Sequence, residues 1–130
     1  MLCDTGIIVA AINSADQHHT QALQILENLH TPLYTTWACM TEAMYLVGII
    51  GQEKLRKQIE AGVFRFYNAA QADALRVCIL MRQYHDIPMD FADASLVVAA
   101  ENLNLSLILT LDSHFYAYRI HGKIPFEVLP

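Results

Sequence analysis

At 130 residues the chain is the size of one ordinary domain, and a domain of that length buries roughly 68% of its unfolded surface, enough for one proper core. Apolar residues make up 55% and charged residues 16% of it, against about 25% charged in a typical soluble domain, a surplus that fits a layered α/β core with apolar surface left for a partner. The net charge of −5 excludes a globally basic face for nucleic acid, so contact with RNA has to be local.

In chain order, a very short strand ends near Asp4 and leads into an apolar helical segment, Gly6 to Ile12. Asp16 is placed to start a helix whose Ala22, Leu23, Ile25, Leu26 and Leu29 recur at helical spacing, and Pro32 ends it. Leu33 to Thr36 reads as a short strand. Trp37 to Ile50 reads as a largely buried helix stopped by Gly48 and Gly51, and Gln52 to Ala61 as a polar amphipathic one. Lys54, Arg56 and Lys57 on it read as a solvated face. Val63 to Tyr67, aromatic and branched, predicts a strand, and about Ala70 to His85 a helix with Ala74, Leu75, Cys78 and Met81 inward. After Pro88 come a helix from Asp90 to Leu103, a buried strand from Ser106 to Leu111, and a last short strand from Phe126 to Leu129.

Strands that alternate with helices pair in parallel, which gives an α/β class and, as the expected architecture, a doubly wound three-layer α/β/α sandwich with a central parallel sheet. One domain over residues 1–130 is expected, since no repeat or linker-like run interrupts the chain. The longest apolar stretches fall short of the ~18 residues a membrane span needs. The N-terminus, Met1-Leu2-Cys3-Asp4, lacks the basic segment of a signal peptide, so a cytoplasmic location is expected. Cys3, Cys39 and Cys78 are odd in number, far apart and set among apolar neighbours, as reduced structural thiols are. Neither a Cys-x-x-Cys nor a His-x-x-x-His pairing occurs to supply a zinc site.

In parallel sheets of this kind ligands sit beyond the carboxyl ends of the strands, at a switch in strand order. Asp4 and Asp112 each follow a predicted strand, and each has an ordinary alternative role as a cap or turn residue. Asp90 and Asp93, three apart at a helix start, share a face and also resemble a cap. Glu42 is the one charged residue between Leu33 and Ile50, with Ala38, Cys39, Tyr45 and Leu46 around it. An unpaired buried carboxylate costs several kcal/mol, so Glu42 is exposed, protonated or bound to a cation. Asp4, Glu42, Asp93 and Asp112 can converge on one rim, where their repulsion calls for divalent cations. Oxygen ligands suit Mg²⁺ or Mn²⁺.

Leu-Cys-Asp-Thr-Gly at the N-terminus, Thr-Glu-Ala-Met in the middle, Met-Asp-Phe-Ala-Asp-Ala-Ser-Leu-Val-Val-Ala-Ala-Glu from Met89, and Leu-Thr-Leu-Asp-Ser-His-Phe from Leu109 together resemble the PIN-domain family, close to its VapC-like toxins. The resemblance spans essentially the whole chain, in order, and is most specific over Asp90 to Glu101. It implies Asp4 and Asp93 as main metal ligands, Glu42 as the third acid and Asp112 as a fourth, with Thr5 and Asp90 in ancillary positions. It implies metal-dependent hydrolysis of RNA phosphodiester bonds, a small antitoxin protein as partner, and a homodimer. The acidic balance and His114 depart from the family pattern. A receiver-type signalling domain would carry paired acids after the first strand and a late Lys, and a haloacid-dehalogenase-like phosphatase would carry Asp-x-Asp; Asp4 stands alone. A non-catalytic member binding RNA or protein through the same fold is the remaining alternative.

Overall fold

The computed structural model describes residues 1–130. In chain order the elements are β1 (Leu2–Cys3), α1 (Thr5–Ile12), α2 (His19–Glu27), β2 (Leu33–Thr35), α3 (Trp37–Glu60), β3 (Phe64–Phe66), α4 (Gln71–Gln83), α5 (Phe91–Leu103), β4 (Leu107–Leu109), a 3-10 turn (Ser113–Tyr116), β5 (Arg119–Ile120), β6 (Ile124–Pro125) and β7 (Glu127–Leu129). Five strands form one sheet in the order β3-β2-β1-β4-β7, with every neighbouring pair parallel. Strands β5 and β6 form a separate antiparallel hairpin. The architecture is the expected central parallel sheet flanked by helices, and no helix is long and apolar enough to cross a membrane.

The pleat sorts the core into two layers. Leu2 and Ile108 join a cluster with α4, α5, Phe115, Tyr118 and Phe126, while Cys3, Leu33 and Leu109 join Ile7, Ile8, Met40 and Leu55. Successive side chains of a strand point to opposite faces, so a two-residue strand such as β1 is enough to feed both layers. The chain leaves β1 toward β2 and β3, then returns to the other side as β4 and β7. The switch in strand order therefore lies between β1 and β4.

Several sequence expectations shift. Helix α2 begins at His19 rather than Asp16; the Asp16 carboxylate accepts the N–H of His18 at 2.8 Å, which makes a turn before the helix. The expected pair of helices over 37–61 is one helical run kinked at Gly48, whose φ of 69° suits glycine. Gly51 does not stop it. A Cβ there would meet the Val47 Cβ at 2.5 Å and Ile12 at 3.3 Å, so its role is close packing on α1. Nor is the first half of α3 largely buried: Tyr45, Leu46, Ile49 and Ile50 are exposed. On α4 the inward face is Val77, Leu80 and the following Tyr84, while Ala74, Leu75 and Cys78 face solvent and Met81 is half-buried. Cys78 is accordingly an exposed thiol, unlike buried Cys3 and Cys39. The 3-10 turn and the β5–β6 hairpin lie in a stretch that carried no sequence expectation. Glu101, buried on α5, receives Arg76 through two hydrogen bonds of 2.9 Å and the N–H of His121, tying α4, α5 and the hairpin together.

Candidate active site

Asp4 and Asp112 emerge from the carboxyl ends of β1 and β4, the two strands that flank the switch. Asp4 caps α1: its Oδ1 accepts the N–H of Thr5 at 2.7 Å. Its Oδ2 accepts the hydroxyl of Thr110 at 2.7 Å, and that hydroxyl oxygen in turn accepts the N–H of Asp112 at 3.0 Å. One threonine thus couples the two acids. Asp112 caps the 3-10 turn through the N–H of His114, and its Oδ1 also lies 2.9 Å from Nδ1 of His114.

Asp90 and Asp93 form a reciprocal cap at the start of α5, Asp90 Oδ1 accepting the N–H of Asp93 at 2.8 Å and Asp93 Oδ2 that of Asp90 at 3.0 Å. Asp90 is therefore the cap proper, while Asp93 keeps its Oδ1 outside this pair. Glu42 is half-buried on α3. Its helix is seated by Thr36, whose Oγ1 accepts the N–H of Cys39 and meets the Ser95 hydroxyl of α5 at 2.7 Å. The Thr5 hydroxyl donates to the Cys39 carbonyl at 3.3 Å. These bonds knit the amino-terminal turns of α1, α3 and α5 together, and helix amino-termini favour negative charge.

Asp4 and Asp93 are each shifted by burial first and by neighbouring carboxylates after it. Burial pushes the Asp4 carboxyl up to about 6, with Asp112 and Glu42 adding repulsion against the lowering pull of the Thr110 and Thr5 hydrogen bonds. Burial also raises Asp93 to about 7, with Asp90, Asp4 and Asp112 pushing the same way. The charges that act most strongly on these two acids are all carboxylates. The effect reaches Tyr118 beneath the site, whose hydroxyl donates to the Pro88 carbonyl and is raised by burial and then by the same acids. Cys39 is pushed up to about 12 by burial and by Asp4, so its thiol stays protonated and inert.

A set of hard oxygens with uncompensated negative charge fits a divalent cation such as Mg²⁺ or Mn²⁺. The carboxylates do not form a closed cage, for no three Asp, Glu, His or Cys side chains already stand as a complete metal-binding group. Asp4 and Asp93 are turned instead toward the N–H and O–H donors named above. Thr110, Thr36 and Ser95 are the site residues that sequence reasoning passed over. For Thr110 a signal existed, since it is the one polar side chain within Leu107 to Leu111.

Comparisons with known proteins bear on the family and the fold. The chain is 27% identical over 135 residues to the ribonuclease VapC26 of Mycobacterium tuberculosis, with all of both chains covered. It superposes on the crystal structure of VapC20 of the same organism, a Sarcin-Ricin loop cleaving toxin, with a TM-score of 0.83 at 16% identity, covering 95% of this chain and 98% of that one. A toxin-antitoxin complex from Klebsiella pneumoniae gives a TM-score of 0.68 at 23% identity, over 99% of this chain and 95% of that one. At such identities the two structures speak for the fold. The sequence pattern of the PIN domain matches residues 1–120, and the chain belongs to the PIN domain family.

Proposed function

We propose that residues 1–130 form a single nuclease domain, a metal-dependent endoribonuclease that hydrolyses RNA phosphodiester bonds as the toxin of a toxin–antitoxin pair in the cytoplasm. The observation that carries this reading is the position of Asp4 and Asp112 beyond the two strands that flank the switch, joined through Thr110, with Asp4 and Asp93 both raised toward neutrality by burial and neighbouring carboxylates. Likeness to a ribonuclease over the full length supports it.

Asp4 and Asp93 would be the main ligands of Mg²⁺ or Mn²⁺, with Glu42 the third acid and Asp112 the fourth. A cation held there supplies Lewis acidity toward the scissile phosphate and a water of lowered pKa. The chain's own contribution is orientation. Thr5 N–H and Thr110 O–H hold one edge of Asp4 each, and the Asp90 N–H holds Asp93. His114 donates its backbone N–H to Oδ1 of Asp112 and sets Nδ1 2.9 Å from the same oxygen, which fixes that carboxylate's direction. Thr5 and Asp90 are ancillary: the Thr5 hydroxyl is spent on Cys39, and Asp90 caps α5.

An antitoxin protein and a second copy of the chain are the proposed partners. The exposed apolar side chains of α3, Tyr45, Leu46, Ile49 and Ile50, support a covered face, since contiguous apolar surface of this kind marks interaction sites.

The test is cleavage of a mixed pool of structured and single-stranded RNAs by the wild type, Asp4→Asn and Asp93→Asn, with Mg²⁺, Mn²⁺ or EDTA. Metal-dependent cutting by the wild type, lost in both folded variants, is expected. A wild type that cuts no RNA under any condition, or variants that cut as well as it does, would remove the catalytic assignment.

A further inference from the structure

Beside Asp112 the rim opens into a cleft of about 260 Å³ with a mixed polar and apolar lining. His18 and Gln21 at the start of α2 line it together with Thr110, Asp112, Ser113 and Tyr116, the last 61% exposed, and Leu111, Val128 and Pro130 make up its apolar part. The cleft is continuous with the candidate active site, since it shares Asp112 and Thr110 with it. Backbone bonds fix its walls: the His18 N–H on Asp16 at 2.8 Å, the His114 N–H on Asp112 at 2.9 Å, and the Tyr116 carbonyl under Arg119 at 2.8 Å. The imidazole of His18, the amide of Gln21 and the phenol of Tyr116 take no part in those bonds. All three residues line the cleft, and no hydrogen bond within the chain occupies those groups.

No Lys or Arg lines this cleft, and a carboxylate does. A phosphate is disfavoured there, whereas the neutral base of a nucleotide is not. An amide and an imidazole can both donate and accept in the plane of a base edge, and an exposed phenol ring offers a stacking face. Single-stranded RNA is read in this way, through unstacked bases laid on aromatic rings and bonded along their edges. For a chain with a net charge of −5, base contacts also supply affinity that electrostatics does not.

We propose that this cleft seats one unpaired base of the RNA next to the scissile phosphate, with Tyr116 stacking on its face and Gln21 and His18 reading its edge. The inference rests on the nuclease reading for the position of the cut, and its test separates the two. First, the ends produced from a random-sequence RNA pool are sequenced for the wild type, Tyr116→Ala, Tyr116→Phe, Gln21→Ala and His18→Ala. The wild type is expected to show a base preference at one position beside the cut. That preference should fall about tenfold in Tyr116→Ala and Gln21→Ala and survive in Tyr116→Phe, as loss of one stacking or edge contact predicts. Second, the sixteen unlabelled trinucleotides with a common central base, and separately a short arginine-rich peptide, are titrated into the labelled protein while the Tyr116 ring and Gln21 side-chain amide resonances are followed.

Cleavage with an unchanged preference in every variant would overturn the base site and leave the nuclease reading standing. No cleavage, but trinucleotide shifts at Tyr116 and Gln21, would support the base site and remove the nuclease reading. No cleavage and no such shifts would remove both. Shifts produced by the peptide and by no trinucleotide would overturn the base site and assign the cleft to a protein segment.

Discussion

Thr110 donates its hydroxyl proton to Oδ2 of Asp4 at 2.7 Å, joining residues 106 positions apart at the ends of two adjacent parallel strands. Because the same oxygen accepts the N–H of Asp112, this one side chain sets the spacing of the first and fourth acids. Thr110→Val keeps the shape and removes both bonds. A hydrogen bond to a charged group contributes about 1.5–3 kcal/mol, and a loss of that order is expected at neutral pH, with weaker Mg²⁺ binding. Thr110→Ser should retain most of both. Urea unfolding and calorimetric Mg²⁺ titration of the two variants measure this, and equal behaviour of Val and Ser would sink it.

Asp4 and Asp93 bind protons more tightly in the folded chain than in the unfolded one, Asp4 moving from 3.8 to about 6 and Asp93 to about 7, chiefly through burial. The stability this confers is fully present below about pH 4 and is lost as pH rises to about 7. For Asp4 the displacement corresponds to about 3 kcal/mol. In EDTA the contribution of these groups should therefore lower the melting temperature between pH 4.5 and 7.5, and Asp4→Asn should flatten that fall. A variant whose profile runs parallel to the wild type would contradict the assignment.

Cations compete with protons for the same oxygens, so stabilisation by Mg²⁺ should be large at pH 7.5 and small at pH 4.5. At a hundred times its Kd, a ligand that binds only the folded state adds about 2.7 kcal/mol. Thermal melts with and without Mg²⁺ at the two pH values check this. A shift independent of pH would place the binding elsewhere.

Arg76 is the cation that neutralises buried Glu101. Burial by itself raises that carboxyl, but Arg76 and the His121 N–H more than reverse it, holding Glu101 below the usual range. Arg76→Ala should cost about 3 kcal/mol because it leaves a buried charge without its partner. Arg76→Ala combined with Glu101→Gln should recover part of the loss. A double variant less stable than Arg76→Ala in urea unfolding would show that the ion pair is not the cause.

The exposed stripe on α3 yields a test that leaves the acids untouched. Ile49→Asp with Ile50→Asp is expected to leave the circular-dichroism spectrum of the folded chain unchanged, because both side chains face solvent within one chain, and to abolish self-association measured by light scattering. A monomeric wild type would remove the homodimer from the proposal.

The alternation of apolar runs with helical periods, punctuated by Pro32, Pro88 and the glycines, was by itself enough for the α/β class, the parallel sheet and most element positions. Local rules govern those choices, and they act within a few residues of chain. The four acids stood out as candidates for a related reason: Asp4 and Asp112 follow strands, Asp93 opens a helix, and Glu42 is the one charge in an apolar helical stretch. Tertiary structure alone decided which face of α4 turns inward. Ala74, Leu75, Cys78 and Met81 recur at helical spacing as well as Val77, Leu80 and Tyr84 do, and only the packing of α5 selects between them. The same holds for the link from Thr110 to Asp4 and for the seam of Thr36 and Ser95, which join residues 106 and 59 positions apart. A hydroxyl in an apolar strand has no partner along the chain, and the partner it takes is fixed by which strands become neighbours.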